Sequence, residues 1–275
     1  MSQSSKRSVL VTGCSQGSAG NALALQFAAQ GFRVFATARS LKTLSNLAEA
    51  GIEILTLDVT QPESIAAVKS QIASRTGGSL DILFNNAGAL YEAPAIEADA
   101  ARVRSLFSTN VFGLMEMVTA FTPLLLASVP SGHEPTIINV ASVLARLPSP
   151  FTSAYNATKA AVAAYSDTLR LEVQPLGIRV SIYRDAEAAV KQRTVTHLEK
   201  TMPPEQFARE VVGEIVNGKR SFLWKGSNAF TVWLLNAVGP RTVFDSAMVK
   251  AAGLDNKQTK ASVFKQGQAA AGKMA

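Results

Sequence analysis

Tyr155 and Lys159 have the residue types and the spacing for proton transfer. They stand four residues apart, so a helix would present both side chains on one face. A free phenol has a pKa of about 10 and exchanges protons poorly near neutrality. A nearby ammonium group favours the phenolate form, which makes a tyrosine an effective acid toward a carbonyl oxygen. The pair therefore predicts protonation of a carbonyl oxygen while hydride arrives at the carbon.

A serine at the predicted end of a strand, Ser142, precedes Tyr155 by thirteen residues. A hydroxyl group at a strand end can hold the same carbonyl oxygen by a hydrogen bond. Because side chains supply protons but not hydride, this chemistry also requires a cofactor.

A glycine-rich turn near the N-terminus predicts where that cofactor binds. Gly13, Gly17 and Gly20 fall between the first predicted strand and the first predicted helix. Glycines permit a tight turn and close approach of backbone to a pyrophosphate, and the helix offers free N–H groups. The spacing G-x-x-x-G-x-x-G differs from the common G-x-G-x-x-G of dinucleotide-binding folds.

The residues after the second predicted strand favour NADP(H) over NAD(H). An acidic residue there would accept hydrogen bonds from a ribose 2′-hydroxyl and repel a 2′-phosphate. This chain has Ala38-Arg39 instead. The guanidinium of Arg39 suits a phosphate, and Ser15 can add a hydrogen bond.

Seven apolar runs alternate with helical stretches along the chain. Runs such as Val9-Leu10-Val11 are continuous, which is typical of strands buried on both faces of a parallel sheet. The alternation predicts an α/β fold, a Rossmann-type doubly wound parallel sheet in three αβα layers. The predicted strands are Ser8–Thr12, Arg33–Thr37, Ile52–Leu57, Ile82–Asn85, Thr136–Val140, Arg179–Tyr183 and Ser221–Trp224, and the predicted helices are Asn21–Gln30, Pro62–Arg75, Ala100–Ala127 and Ser153–Leu176.

Local signals predict some helix ends. Thr60 with Glu63 three residues later has the pattern of a capping box. Gly31 and Gly177 stand where C-caps are expected. With no internal repeat or linker, we expect one domain over residues 1–275, with a core over 8–183 and a polar tail from Asp255.

These motifs resemble those of the classical short-chain dehydrogenase/reductases over about residues 8–183. The resemblance implies a catalytic tetrad of Asn110, Ser142, Tyr155 and Lys159. In it Asn110 holds a water molecule of a proton relay, and Lys159 also bonds the nicotinamide ribose.

The resemblance also implies the remaining cofactor contacts. The motif N-N-A-G, at 85–88, supports the sheet and the cofactor, and Asp58 contacts the adenine. The expected cofactor site comprises Gly13, Ser15, Gly17, Gly20, Arg39, Asp58, Asn86, Ala87, Gly88, Tyr155 and Lys159.

The chain departs from the family pattern after the sixth predicted strand. Family members carry a Pro-Gly or Thr-Gly turn there, whereas this chain reads Arg184-Asp185-Ala186-Glu187. One hypothesis is a diverged reductase with an open site. The other is a non-redox enzyme in which Asp185 or Glu187 supplies acid–base chemistry for an isomerisation, dehydration or cyclisation.

The C-terminal part resembles fungal family members similar to acyl-dihydroxyacetone-phosphate reductase, in the stretches 202–208 and 224–229. An acyl-dihydroxyacetone phosphate, a steroid-like ketone and an intermediate of fungal secondary metabolism all fit this resemblance as substrates. The apolar run Ala229–Val238 is too short to span a bilayer. It suits a lid over an apolar substrate, peripheral membrane contact through 229–275, or packing on the core or a second subunit of a homo-oligomer.

Composition narrows the class of protein further. Apolar residues make up 47% of the chain and charged residues 17%, which suits a folded core. The single cysteine, Cys14, excludes an internal disulfide and suits a reducing compartment. We expect a cytoplasmic protein that can associate peripherally with the endoplasmic reticulum or a lipid droplet. His133 and His197 are isolated, so no metal is expected, and no motif indicates nucleic-acid binding despite a net charge of +7.

Overall fold

The computed structural model describes residues 6–185, 202–218, 222–225, 229–240 and 242–271. Over these residues seven parallel strands form one sheet in the order β3-β2-β1-β4-β5-β6-β7. The strands are β1 (Ser8–Thr12), β2 (Arg33–Ala38), β3 (Glu53–Thr56), β4 (Ile82–Asn85), β5 (Thr136–Ser142), β6 (Arg179–Asp185) and β7 (Phe222–Lys225). The predicted doubly wound sheet is confirmed, and its order reverses between β1 and β4, where such folds bind ligands.

Helices cover both faces of this sheet. In chain order they are α1 (Ala19–Ala29), α2 (Ser45–Glu49), α3 (Pro62–Thr76), α4 (Ala100–Phe107), α5 (Gly113–Ser128), α6 (Ser153–Val173), α7 (Pro204–Asn217), α8 (Ala229–Val238), α9 (Asp245–Ala251) and α10 (Lys257–Ala271).

Each face of the sheet has its own apolar layer. In β1, Leu10 joins the layer that contains α3, α5 and α6, whereas Val9 and Val11 join the layer that contains α1 and α7. Successive strand residues point to opposite faces, so a strand buried on both faces must be apolar at every position. This explains the continuous apolar runs.

One predicted helix proves to be three elements. The stretch predicted as Ala100–Ala127 is α4, then a π-helical turn at Ser108–Phe112, then α5. Among the described helical stretches, Ala100–Ser131 has the length and hydropathy to cross a membrane, and half of its apolar window is buried in the fold.

Several element ends differ from the prediction. Strands β5 and β6 each run two residues further than predicted, which brings Ser142 and Asp185 into the sheet. Helix α7 was not predicted, and the polar tail predicted from Asp255 contains α10.

The predicted capping box at Thr60 is wrong. Helix α3 begins at Pro62 after Gln61, and no side chain caps it. Proline at the first helical position has no N–H, so one fewer donor needs a partner. Thr60 instead donates both its backbone N–H and its hydroxyl to Asp58 Oδ1, at 2.9 and 2.7 Å. The left-handed glycines after helices are confirmed, with φ of 82° at Gly31 and 78° at Gly177.

Candidate active site

The segment that runs from the end of β1 into the start of α1, residues 13–20, which we call the glycine turn, leaves little room for side chains. Gly13 has φ +73°, and a Cβ there would lie 2.8 Å from Ala87 Cα. A Cβ on Gly20 would collide with the Gly13 carbonyl oxygen and the Asn86 amide. Gly17 has φ +78° but faces open space, so only its backbone conformation requires glycine.

The loop after β4 is tied to the glycine turn by hydrogen bonds. Asn86 Nδ2 donates to the carbonyl oxygens of Thr12 and Gly13, at 2.8 and 3.1 Å. Thr12 Oγ1 accepts from the backbone N–H groups of Asn86 and Ala87, at 3.0 and 2.9 Å. Thr12 was absent from the predicted site, although it directly precedes Gly13, and its hydroxyl holds the two loops together.

The start of α1 is fixed by residues that the sequence did not single out. Ser18 is the N-cap, and its Oγ accepts from the Asn21 N–H at 3.2 Å. Asn21 also donates to the Cys14 carbonyl oxygen at 3.0 Å and exchanges hydrogen bonds with the amide of Asn46. The free N–H end of α1 is thereby directed at the glycine turn.

A cleft of about 570 Å³ runs along the carboxyl ends of the strands. Its lining contains ten of the predicted site residues, and it also includes Ser18, Leu90 and Phe207. The ten are Gly13, Ser15, Gly17, Arg39, Asp58, Asn86, Ala87, Gly88, Tyr155 and Lys159. Gly20, Asn110 and Ser142 are buried and are not among the described residues that line the cleft.

One end of the cleft carries a charged pair. Arg39 follows β2 and is exposed, and Asp58 follows β3. Hydrogen bonds from the backbone and hydroxyl of Thr60, with the positive charge of Arg39, hold the pKa of the Asp58 carboxyl below its usual value, against the opposing effect of burial. Asp58 is therefore ionised near neutrality, and the guanidinium of Arg39 lies at the mouth of the cleft.

The other end of the cleft carries the phenol and the ammonium. Both lie on the face of α6 that packs against β5, and only 5% of Tyr155 and 4% of Lys159 are exposed. Lys159 Nζ donates to the Val140 carbonyl oxygen at 2.8 Å and lies 5.7 Å from the centroid of the Tyr155 ring. The predicted juxtaposition of this pair is present, facing the same cleft as the glycine turn.

Asn110 lies in the π-helical turn and is 1% exposed. Its Oδ1 accepts from the Ala89 N–H at 2.8 Å, and its Nδ2 donates to the Ala89 carbonyl oxygen at 2.9 Å. The same Nδ2 donates to Thr158 Oγ1 at 3.1 Å. Single π-helical turns inside α-helices occur frequently at functional sites.

Ser142 is the last residue of β5 and is fully buried. Its Oγ accepts from the Leu144 N–H at 3.1 Å, which caps the short helical turn that follows. In the sheet register the backbone of Asp185 lies opposite Ser142. Glu187, the other candidate acid of the non-redox hypothesis, lies outside the described residues.

Tyr155 also belongs to an apolar cluster. We call the buried residues Leu106, Val143, Leu144, Leu147 and Phe244 of this cluster the apolar wall. Val232 and Leu235 of α8 pack against it. Residues from the loop after β5 and from the C-terminal segment thus meet beside the phenol, which the sequence could not foresee.

Helix α8 has a second, solvent-facing side. Trp233, Leu234 and Val238 are 42%, 41% and 75% exposed. Among the described residues no three His, Cys, Asp or Glu side chains come together as metal ligands. His133 Nδ1 lies 3.4 Å from Asp81 Oδ1, beside the starts of β1 and β4, and His197 lies outside the described residues.

Comparisons with known proteins agree with this geometry. A family model for the short chain dehydrogenases matches residues 7–187. The chain is 45% identical over 173 residues to an NADPH-dependent 1-acyldihydroxyacetone phosphate reductase of Schizosaccharomyces pombe, which covers 63% of this chain and 57% of that protein. It is 35% identical to the short-chain dehydrogenase ptmH of Penicillium ochrochloron, over 90% of this chain and 99% of that protein. A short chain dehydrogenase from Burkholderia cenocepacia J2315, solved in complex with NADP, has a TM-score of 0.72 and 26% identity, and the match covers 90% and 99% of the two chains.

Proposed function

The chain belongs to the short chain dehydrogenase family, and we propose that this NAD(P)-dependent oxidoreductase uses NADPH to reduce a ketone or aldehyde on a small apolar or acyl substrate. The observation that carries the proposal is the arrangement of one cleft. The glycine turn lies along it, and the Tyr155 phenol and Lys159 ammonium face it at the other end.

The residues present fit a dinucleotide. Gly17 opens onto the cleft with no atom within 4 Å of a notional Cβ, so a pyrophosphate can approach the backbone. The N-terminus of α1, capped by Ser18, lies beside that position and favours negative charge.

The preference for NADPH rests on Arg39. Its guanidinium lies at the mouth of the cleft after β2, where an enzyme specific for NADH would carry a carboxylate. Ser15 lines the same part of the cleft, and its Oγ lies 3.3 Å from Thr43 Oγ1. The S. pombe relative is named as NADPH-dependent, and the Burkholderia structure contains NADP, which supports the same choice.

The tetrad residues divide the remaining work. Bound NADPH supplies the hydride. Tyr155 donates the proton to the carbonyl oxygen, and Lys159, held by the Val140 carbonyl oxygen, keeps a positive charge beside the ring. We propose that Ser142 orients the carbonyl oxygen and that Asn110 supports the proton relay from its π-helical turn.

The apolar wall supports an apolar substrate. Phe244, Leu144 and Leu147 are less than a tenth exposed and belong to the same cluster as Tyr155. Leu90 lines the cleft and packs against the same cluster, so a substrate whose carbonyl reaches the phenol would place its neighbouring groups on this apolar side. An acyl chain or a fused ring system gains free energy there by leaving water.

The test is oxidation of NADPH by the purified full-length chain, followed at the absorbance of the reduced nicotinamide. A panel of 2-alkanones of increasing chain length and of cyclic ketones is offered, with the matching alcohols and NADP as the reverse reaction. We expect NADPH consumption equal to alcohol formed, and faster turnover with apolar ketones than with short polar ones. Binding of NADPH without consumption in either direction across the panel would refute the proposal.

The non-redox hypothesis retains one supporting observation, the backbone register that places Asp185 opposite Ser142 at the ends of β6 and β5. Under carbonyl reduction, Asp185→Ala leaves NADPH binding unchanged and lowers turnover by less than about tenfold. Product formation without net NADPH oxidation, abolished by the same substitution, would favour the alternative.

A further inference from the structure

Two buried hydroxyl groups on α6 have the same arrangement of hydrogen bonds. Thr158 Oγ1 accepts from Asn110 Nδ2 at 3.1 Å and donates to the Tyr155 carbonyl oxygen at 2.7 Å. Eight residues later, Ser166 Oγ accepts from Asn139 Nδ2 at 2.9 Å and donates to the Val162 carbonyl oxygen at 2.7 Å. Both hydroxyl-bearing side chains are fully buried.

The two arrangements hold different parts of the molecule. Asn139 is in β5, and its Oδ1 accepts from Asn85 Nδ2 of β4 at 2.9 Å, so Ser166 joins the middle of α6 to the sheet. Asn110 is in the π-helical turn, so Thr158 joins that turn to the segment of α6 that carries Tyr155 and Lys159.

Both hydrogens of the Asn110 side-chain amide already have acceptors. One Nδ2 hydrogen is donated to the Ala89 carbonyl oxygen and the other to Thr158, while Oδ1 accepts from the Ala89 N–H. Because Asn110 is 1% exposed, removal of the Thr158 hydroxyl would leave a buried N–H without a partner. An unpaired buried donor costs more than the net gain of an ordinary hydrogen bond, so the π-helical turn would shift to relieve it.

Such a shift would reach the reacting groups through Gly88. A notional Cβ on Gly88 would lie 3.4 Å from Asn110 Oδ1 and 3.7 Å from Lys159 Nζ, so Gly88 sits between the two side chains. Gly88 also lines the cleft. The space between the Asn110 amide and the Lys159 ammonium is therefore narrow.

We propose that Thr158 is a positioning residue, which sets the π-helical turn and the segment Ala87–Ala89 against Tyr155 and Lys159 and thereby tunes proton transfer to the substrate. The effect on turnover rests on the carbonyl reduction proposed above. The structural part of the proposal, that the Asn110–Thr158 hydrogen bond holds the π-helical turn against α6, does not depend on that reaction.

The experiment compares Thr158→Val, which keeps the shape and removes the hydroxyl, with Thr158→Ser, which keeps the hydroxyl. Ser166→Ala is the matched control, because it removes the equivalent hydroxyl from the structural arrangement. We expect Thr158→Val to lower kcat about tenfold, with the KM for NADPH within about twofold of wild type. Thr158→Ser and Ser166→Ala should keep kcat within about twofold, although Ser166→Ala should lower the melting temperature as much as Thr158→Val.

A merely structural role would not change the proton-transfer step. The solvent deuterium isotope effect on kcat should rise in Thr158→Val and stay at the wild-type value in Ser166→Ala. Equal loss of kcat in the valine and Ser166 variants, or a valine variant with wild-type kcat and isotope effect, would overturn the proposal. If the valine variant fails to fold, Thr158→Ala answers the same question, since it also lacks the hydroxyl.

A readout without turnover separates this inference from the proposed function. Amide hydrogen exchange, followed by mass spectrometry on the NADPH-loaded protein, should accelerate in residues 86–92 and 106–113 of Thr158→Val and remain at the wild-type rate there in Ser166→Ala. If these residues exchange in Thr158→Val at the wild-type rate, the Thr158 hydroxyl does not hold the π-helical turn against α6, even if the protein reduces ketones. If exchange is faster in Thr158→Val but the wild-type protein reduces no carbonyl, the positioning role of Thr158 is supported and the proposed reaction is refuted.

Discussion

The glycine turn lines the cleft, and the apolar wall packs around Tyr155, which lines it too, but the two regions are built from different kinds of contact. In the glycine turn the backbone of Gly13 approaches the backbone of Ala87 so closely that a methyl group does not fit. In the apolar wall, side chains from the loop after β5 and from the C-terminal segment, such as Leu144 and Phe244, pack together beside Tyr155.

The difference concerns how strictly each region dictates residue type. A close backbone approach with positive φ accepts glycine and little else, so one added carbon changes the geometry. An apolar cluster accepts several residues of similar volume, and a substitution mainly changes the shape of the space. Recognition of the cofactor should therefore fail abruptly on mutation, whereas recognition of the substrate should change gradually.

The largest effect should come from the phenol that lies between the two regions. Tyr155→Phe removes the proton donor but keeps the ring in the apolar cluster, so we expect kcat to fall about a thousandfold with NADPH binding unchanged. Tyr165→Phe, on the same helix and packed against the core, is the control and should keep kcat. Steady-state kinetics with the best ketone measures both, and a Tyr155→Phe variant with more than a tenth of wild-type kcat would remove Tyr155 from the mechanism.

The next effect tests the backbone approach in the glycine turn. Gly13→Ala should weaken NADPH binding about a hundredfold, because its Cβ would push Ala87 and the loop after β4 away. Gly77→Ala is the matched control, since Gly77 has φ +70° and open space around a notional Cβ. Both variants place alanine at a positive φ, so they share the backbone strain. Isothermal titration should show loss of NADPH affinity in Gly13→Ala alone. Equal affinities of the two variants for NADPH would contradict the role of the close backbone approach.

A charge at the edge of the cofactor region should have an intermediate effect. Arg39→Ala should raise the KM for NADPH about thirtyfold and leave the KM for NADH within about twofold, because the 2′-phosphate loses its charged partner. Lys42→Ala, also exposed and outside the lining of the cleft, should change neither value. Equal changes in KM for NADPH and NADH would show that Arg39 does not bind the 2′-phosphate.

A smaller effect is expected at the apolar wall. Phe244→Ala should raise the KM for long-chain ketones about tenfold while short ketones change little, because the lost contact scales with the apolar surface of the substrate. Phe264→Ala is the control, since Phe264 is 70% exposed on α10. A change that is the same for short and long ketones, or equal in the two variants, would place the substrate elsewhere.

The smallest effect is a pH dependence within the glycine turn. Burial raises the pKa of the Cys14 thiol from 9.0 to about 12, only partly offset by a backbone hydrogen bond with Thr37. Because the folded state favours the protonated thiol, this contribution to stability is complete below pH 9.0 and is lost as the pH rises toward 12. Between pH 8 and 9.5 the free energy of unfolding of wild type should therefore fall by about 1 kcal/mol more than that of Cys14→Ala. Urea unfolding measures this, and parallel curves would mean that the thiol ionises equally in both states.

The local sequence was sufficient where function requires a residue type at a fixed backbone position. Gly13, Gly17 and Gly20, from the end of β1 to the start of α1, form one short segment, and the tyrosine and lysine four residues apart on α6 form another. Their spacing therefore predicted the turn and the shared helix face. The continuous apolar runs predicted the parallel sheet for the same reason, since burial on both faces is a property of each strand.

The sequence did not reveal contacts that join distant segments. Three such contacts are the hydrogen bonds from Ala87 to the Thr12 hydroxyl, between Asn110 and Ala89, and from Asn110 to Thr158. They join residues that are 21 to 75 positions apart in the sequence. The π-helical turn at Asn110 also escaped prediction, since the sequence predicted one continuous helix over Ala100–Ala127.

Residue types and short spacings alone determined the cofactor turn, the proton donor with its ammonium and the alternation of strands and helices along the chain. Only the tertiary structure decided that Phe244 of the C-terminal segment lies beside Tyr155, and that a threonine on α6 completes the hydrogen bonds of a buried asparagine. The physical reason is that periodicity and backbone conformation act within a few residues, whereas side-chain packing and pairing of buried polar groups depend on which segments the fold brings together.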